Sequence, residues 1–395
     1  MTTPDDASIP DQASRRAVAA TLLLCLAASQ AAILVLTPVL PALASDLEVS
    51  TATAGQLRTV SGLSAGVTAL FAGLLASRVG LRELLGVGLA ALVVSSAISA
   101  VAPDFVVIAL AQLGVGMGVG LSYTAAIAAV ADWTTPGDRS KVLAVALLGP
   151  PIAWIVGMPL AGFVGEASWR FAWIAAPLAF SLVAFAVLAR RPSTPPARTQ
   201  ADFRAVLAYP GVVRWSTGEL FAYSAWAGTL VFIGALFVES YGLSSGETGL
   251  VLGAGALVLI PGNLLFRRWV DDHGRALLVA LALGAAVTVA VLGAFRVSTW
   301  FSLAVFSVLA FLAGGRTLAG AATGLDLAPE LVLGVTGIRT AALQLGYFLG
   351  AAVGGLALAA GGYRALGLAL SALFVGATVP HLLPGAARNP RPQLP

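Results

Sequence analysis

The chain has 395 residues, of which 58% are hydrophobic and only 10% charged, with a mean hydropathy of +0.93. Soluble domains carry about 45–50% apolar and about 25% charged residues, so a soluble globule is excluded. The net charge of +4 comes from arginines spread among loops, with no basic patch interleaved with aromatics, which argues against nucleic-acid binding.

A membrane-spanning helix needs about 20 apolar residues. Apolar runs punctuated by charges predict spans over 17–43, 54–77, 83–102, 105–131, 141–165 and 169–190, then 212–238, 246–266, 276–295, 299–322, 333–360 and 363–383. Segment 1–16 reads as an N-terminal tail, and the run after it is too long for the core of a cleaved signal peptide, so the first span is read as retained. The proline- and arginine-rich stretch 191–211 reads as a linker. It separates an N-terminal six-helix half over 17–190 from a C-terminal half over 212–383, followed by a tail over 384–395. The expected fold is an all-α integral membrane protein with twelve transmembrane helices in two pseudo-symmetric halves. The single cysteine, Cys25, and the two histidines, His273 and His381, leave no basis for a disulfide or a multi-histidine metal centre, and no cofactor is expected.

Short cytoplasmic loops retain lysine and arginine. With the N-terminus cytoplasmic, that side receives Arg15, Arg16, Arg78, Arg82, Arg139, Lys141, Arg190, Arg191, Arg267, Arg268, Arg275 and Arg339, among others. The opposite side receives only Arg58, Arg170, Arg296 and Arg364. The asymmetry predicts a multi-pass protein of the plasma membrane with both termini cytoplasmic. The turn from Ser77 to Arg82 after span 2 and the turn from Asp271 to Arg275 after span 8 are both short, basic and glycine-containing, an internal repeat of the kind found in transporters built from related halves.

The segment Gly73-Leu74-Leu75-Ala76-Ser77-Arg78-Val79-Gly80-Leu81-Arg82 is similar to the loop motif Gly-x-Leu-Ala-Asp-Arg-x-Gly-Arg. Gly149, Pro150, Gly157, Pro159 and Gly162, followed by Trp169-Arg170, are similar to an antiporter motif in helix 5 and the Trp-Arg pair that opens helix 6. On these segments, and on Pro38 to Leu47, the chain resembles the major facilitator superfamily over essentially its whole length, in particular its twelve-helix drug:proton antiporter-like exporters. The resemblance implies a gating role for Gly73, Arg78, Gly80 and Arg82, and for Asp271, Gly274 and Arg275 in the half-repeat. Two positions depart from the pattern: Ser77 replaces the family's aspartate, and Gln112 replaces the arginine of helix 4. An arginine-dependent proton relay at position 112 therefore does not carry over.

Charges inside spans are costly and mark functional positions. Glu219 in span 7 is the one carboxylate read well within a hydrophobic run, and Arg316 in span 10 the one such cation. At 1.5 Å per residue both are expected roughly 9–11 Å from the cytoplasmic end. The resemblance implies that helices 1, 4, 7 and 10 line a central cavity. It brings these two residues to one wall as proton-coupling candidates, with Glu219 binding the proton; a permanent ion pair fixing the C-terminal half is the alternative. Glu219, Tyr223 and Trp226 share a helix face, and an acid with two aromatics suits a cationic or aromatic substrate. Gln30 and Thr37 of span 1, with Gln112 and Tyr123 of span 4, supply neutral polar cavity walls. Asp46 and Arg58 read as charges at the outer ends of spans 1 and 2. Trp133, Trp169, Trp269 and Trp300 read as interfacial anchors.

No nucleophile, base or metal cluster is visible, so an enzyme is not expected. A P-loop needs Gly-Lys-Ser/Thr, whereas the only lysine, Lys141, follows Ser140, which excludes an ATP-driven pump within this chain. The expected function is secondary-active transport by alternating access, in the form of proton-coupled efflux of a small amphipathic or drug-like compound, an activity tied to drug resistance. An importer or facilitator of a small nutrient or metabolite is the alternative. The expected partners are the lipid bilayer, the small-molecule substrate and protons, and the chain is expected to act as a monomer.

Overall fold

The computed structural model describes residues 12–76, 78–135, 137–191, 203–327 and 331–383. Ser77, linker residues 192–202, the tail 384–395, most of the tail 1–16 and the side chain of Asp271 lie outside the described residues. What is described is helical. The helices are α1 (Arg15–Asp46), α2 (Leu57–Ala76), α3 (Leu81–Val101), α4 (Phe105–Asp132), α5 (Lys141–Ala167) and α6 (Trp169–Ala189). After the linker come α7 (Val212–Tyr241), α8 (Ser245–Val270), α9 (His273–Ala294) and α10 (Thr299–Leu327), then a long stretch, Gly334–Leu382. The backbone leaves helical geometry in that stretch at Gly361 and Gly362. The φ of +63° at Gly362 is a left-handed conformation that glycine adopts without a Cβ penalty. The break separates α11 (334–360) from α12 (363–382).

Among the described residues, ten segments are long and apolar enough to cross a membrane. Dividing Gly334–Leu382 at its glycine break and adding the 20-residue helix α2 relates these ten to the twelve expected spans. Side-chain caps set several starts: Asp104 accepts from the backbone N–H of Val107, and Ser244 with Glu247 forms a capping box at the head of α8, each satisfying N–H groups that a helix start leaves unpaired.

Helices α1 and α7 form the centre, with 83% and 89% of their most apolar windows buried, against 33% for α5 and α8. The outer surface carries large apolar side chains such as Leu110, Val287 and Leu356, which are 61%, 65% and 72% exposed, as a lipid-facing surface requires. Trp300 and Trp269 are exposed at helix ends. Trp169 corrects the anchor expectation: it is buried and donates its indole N–H to Asp46 Oδ2 at 2.9 Å. Asp46 also takes the guanidinium of Arg170.

The two ends of the bundle differ. The end where α1 begins is here the near face, and the other the far face. Toward the far face the helices before Arg191 and those after Phe203 close on each other along three seams: α1 with α7, α2 with α11, and α5 with α8. The α5–α8 seam depends on missing side chains. A Cβ on Gly162 would lie 2.3 Å from the Ser245 carbonyl oxygen, and one on Gly249 would lie 2.5 Å from the Met158 carbonyl oxygen. Proline at 159 and a π-helical turn over Ala153–Gly157 shape α5 along this seam, because a proline cannot donate the N–H that a regular turn needs. Hydrogen bonds reinforce the closure: Gln56 Nε2 donates to the Ala351 carbonyl at 3.2 Å, and Glu166 accepts from the Ser244 hydroxyl at 2.6 Å and the Gly246 N–H at 3.1 Å. Near-face contacts of Arg15 with Asp138, Arg82 with the Ala189 carbonyl and Arg275 with the His381 carbonyl each stay within one half.

Candidate functional site

Seven residues into α7, Glu219 has no exposed surface. Arg316 of α10 donates from Nη1 to its Oε1 at 2.8 Å and from Nη2 to the Gly218 carbonyl at 3.0 Å. Arg339 of α11 donates from Nε to the other carboxylate oxygen at 3.2 Å. Its Nη2 donates to the Tyr223 hydroxyl at 2.6 Å and the Thr317 carbonyl at 2.7 Å. A buried charge is tolerated when it is paired and its remaining lone pairs are met, and both oxygens of Glu219 satisfy this condition.

Gly320 makes the approach of α10 possible. A Cβ there would lie 2.4 Å from Glu219 Oε1, and the Gly320 carbonyl accepts the Trp215 indole N–H at 2.8 Å. On the near side His381 packs against Gly218, and its Nε2 has no hydrogen-bond partner. Arg339 differs from the rest of the cluster because 24% of its side-chain surface stays accessible.

Above this cluster, Tyr223 of α7, Tyr347 of α11 and Tyr123 of α4 lie within electrostatic reach of one another. Gln30 of α1 reaches the Tyr347 side chain. Arg58 of α2 lies over the Tyr347 ring, 4.9 Å from its centroid. Trp226, one face of which continues from Glu219 and Tyr223, stacks on Trp154 of α5 at 6.0 Å and on Phe306 of α10 at 6.2 Å. This aromatic row crosses from one half to the other.

Glu219, Arg316, Tyr223, Trp226, Gln30 and Tyr123 are thus gathered in the interior. Two cavity-wall expectations are corrected. Gln112 is fully buried, and its Nε2 reaches Ser99 of α3 at 3.5 Å, so it packs within the first half. Thr37 lies in the α1–α7 seam, where its carbonyl would be 1.9 Å from a Cβ on Gly234. Of the helix 5 glycines and prolines, Gly149 packs on Leu23 and Ala27 of α1 and Gly157 lies near Phe180 of α6, both within the first half, while Pro159 and Gly162 face α8 across the seam. Of the loop positions, Gly73 lies near the end of α2, Arg78 is exposed and Gly80 is buried at the start of α3. Arg82 also lies 3.7 Å from Glu83. Gly274 is close to Thr323 of α10, and Arg275 holds the end of α12 through the His381 and Leu383 carbonyls.

Two arginines that had been read as charges at the span ends turn inward. Arg58 is the second residue of α2 yet only 2% exposed, and Arg339 lies seven residues past Val332, where its helix begins. The signal for Arg339 was in its position, at the same depth from a near-face helix start as Glu219. Trp154, Phe306 and Tyr347 carried no comparable signal, because an aromatic in an apolar run is ordinary. The expectation of a cationic or aromatic substrate counted the acid of Glu219 as a ligand group, and in this structure both of its oxygens are taken by guanidinium partners.

The Major Facilitator Superfamily model matches the chain twice, over residues 22–218 and 215–395. The chain belongs to the Major Facilitator Superfamily. Among superfamily relatives it is 26% identical over 243 residues to the uncharacterized MFS-type transporter YceJ of Bacillus subtilis (strain 168). That alignment covers 58% of this chain and 60% of YceJ, so the chain spans less than two thirds of that relative. It is 25% identical over 328 residues to the purine ribonucleoside efflux pump NepI of Escherichia coli O127:H6 (strain E2348/69 / EPEC), covering 80% of this chain and 81% of NepI. The fold is similar to the crystal structure of a bacterial homolog of the human lysosomal transporter Spinster in an inward-facing, occupied conformation. The TM-score is 0.75 at 16% identity, covering 94% of this chain and 96% of that one.

Proposed function

We propose that the protein exports a small amphipathic compound by alternating access, driven by protons, with its near face in the cytoplasm. The observation that carries this reading is the asymmetry of the bundle. Three seams close the far face, while a buried ionic cluster beneath them keeps one side chain, Arg339, partly accessible. A site held between two halves that close at one end at a time is the general design of secondary transporters. The similarity to NepI, itself named an efflux pump, supports the outward direction. The concentration of Arg78, Arg82, Arg139, Lys141, Arg267, Arg268 and Arg275 at the near face supports a plasma-membrane protein with both termini inside.

Glu219 serves as the proton-binding group in this reading. In the state described it is held by both arginines, so protonation belongs to a state in which sliding of α10 or α11 has withdrawn at least one of them. Exchange of proton for salt bridge then couples rocking to the gradient. Gly320 beside the carboxylate permits such sliding. The protein acts as a monomer in this scheme, because both halves and the whole cluster come from one chain.

The test is transport by protein reconstituted in liposomes with an imposed proton gradient, using a panel of amphipathic compounds. Export predicts accumulation on the acidic side that collapses with a protonophore and is lost in Glu219→Gln. Accumulation away from the acidic side would reverse the direction, and gradient-independent flux in both wild type and variant would remove proton coupling.

A further inference from the structure

Charge in the interior does not balance. Among the described residues of the spans, Arg58, Arg316 and Arg339 meet one buried carboxylate, Glu219. Arg316 and Arg339 share that carboxylate, and among the described residues Arg58 has no ion-pair partner. Arg58 donates from Nη1 to Ser61 at 3.0 Å and lies over the Tyr347 ring, but its Nε, although buried, has no partner. Neither contact neutralises a guanidinium, and an uncompensated charge inside a membrane protein is costly enough to be kept only for use. Arg339 has capacity to spare as well: Nε and Nη2 are engaged, Nη1 donates to no group among the described residues, and the side chain is partly accessible.

Each of these two cations has a tyrosine beside it. Tyr223 is bonded to Arg339, Tyr347 lies under Arg58, and the two tyrosines are electrostatic neighbours. Guanidinium and hydroxyl donors are the groups that recognise a carboxylate. In the row Trp154–Trp226–Phe306, Trp226 stacks on both neighbours and Phe306 is buried, so the half-buried ring of Trp154 is the apolar surface left for whatever the charged group is attached to.

Resting on the transport reading above, we infer that the cargo is an organic anion, a flat apolar body bearing a carboxylate or comparable monoanionic group that is recognised by Arg339 and Arg58. The excess positive charge of the empty site becomes the source of selectivity: an anion relieves it, and a cation of the same shape adds to it. Glu219 then acts as the internal counter-ion that keeps Arg316 and Arg339 in place.

The purified full chain can be tested with three matched panels: benzoate, cinnamate and 1-naphthoate, the amides of the same rings, and the corresponding ring-methylammonium compounds. Binding is followed by the shift in melting temperature and by quenching of tryptophan fluorescence, with chloride alone as a further arm. The expected result is binding of at least one carboxylate, weakened about tenfold or more in Arg339→Gln and in Arg58→Gln, the usual scale for losing a charge-assisted hydrogen bond. The amide and ammonium partners of that carboxylate should bind more weakly than it does. If Arg58→Gln does not fold, Arg58→Lys retains the charge, and it should keep the preference for anion over cation at reduced affinity. Binding that favours the ammonium series, no binding by any carboxylate, carboxylate binding indifferent to both arginines, or full replacement of the carboxylate effect by chloride would overturn the inference. Counterflow of the bound carboxylate in liposomes separates the two readings. Arginine-dependent binding without flux keeps the anion site and removes transport of that compound, whereas flux of ammonium compounds alone keeps transport and removes the anion site.

Discussion

Arg339 and Glu219 lie 120 residues apart in sequence and meet at 3.2 Å, so the buried carboxylate of α7 is held by a second arginine in addition to Arg316. The site is a shared anion between two guanidinium groups, and its behaviour on mutation should differ from that of a simple pair.

Glu219→Gln leaves both arginines without a carboxylate in a buried site, and breaking a buried ion pair from one side costs about 3–5 kcal/mol. The melting temperature of the purified protein should fall sharply. Adding Arg316→Gln to this variant removes one of the stranded cations, so the double variant should be at least as stable as Glu219→Gln alone, a departure from additivity expected of residues in contact. Additive losses in a thermal-unfolding cycle would show that the cluster is not energetically coupled.

Gly249→Val places side-chain atoms against the Met158 carbonyl and the Pro159 Cα of α5, which are backbone and cannot yield cheaply. Overpacking of this kind costs about 1–3 kcal/mol, and here it opposes only the state in which the far face is closed. A cysteine introduced at Gln56, which bonds across the α2–α11 seam, should react severalfold faster with a membrane-impermeant maleimide in the Gly249→Val background. Cys25 is buried and should not interfere. Unchanged labelling together with unchanged transport would mean that the α5–α8 seam does not govern closure.

Trp226→Ala removes the middle member of the aromatic row, with stacking contacts to both Trp154 and Phe306. Each such pair contributes about 0.5–1.5 kcal/mol beyond burial. Trp226→Phe should retain most of the stability and transport, and Trp226→Ala should lose both. Equal transport by the two variants would show that the row is packing alone.

At the near face, Arg15 beside Asp138 holds the Asp138 carboxyl below its ordinary range. Because the folded-state value is the lower one, the contribution of this pair is complete above the unfolded carboxylate value of about 4 and is lost as pH falls through the folded-state value. The melting temperature of wild type should therefore be insensitive to this pair between neutral pH and about pH 5, then decline in acid. Asp138→Asn should begin lower and decline less steeply below about pH 4. A decline as steep as that of wild type would assign the acid sensitivity to other carboxylates.

The membrane character of the chain and the existence of Glu219 and Arg316 as interior charges were legible in the sequence. Hydropathy over about 20 residues is a local property, and a charge within such a run is conspicuous wherever the helix packs. The motif segments named the family for the same reason, being short and contiguous. Partner choice was not legible. Whether Arg58 and Arg339 end a helix or point into the protein depends on helix rotation and on which neighbour closes over them. Gln112 faces α3 because the small residues of α4 set that contact. Asp46 pairs with Arg170 because the end of α1 meets the start of α6. Sequence alone determined that this protein is a bundle of membrane helices with a few costly charges inside. The tertiary structure decided that those charges sum to an excess of cations around one carboxylate, because only packing between helices distant in sequence fixes which charges share a low-dielectric space.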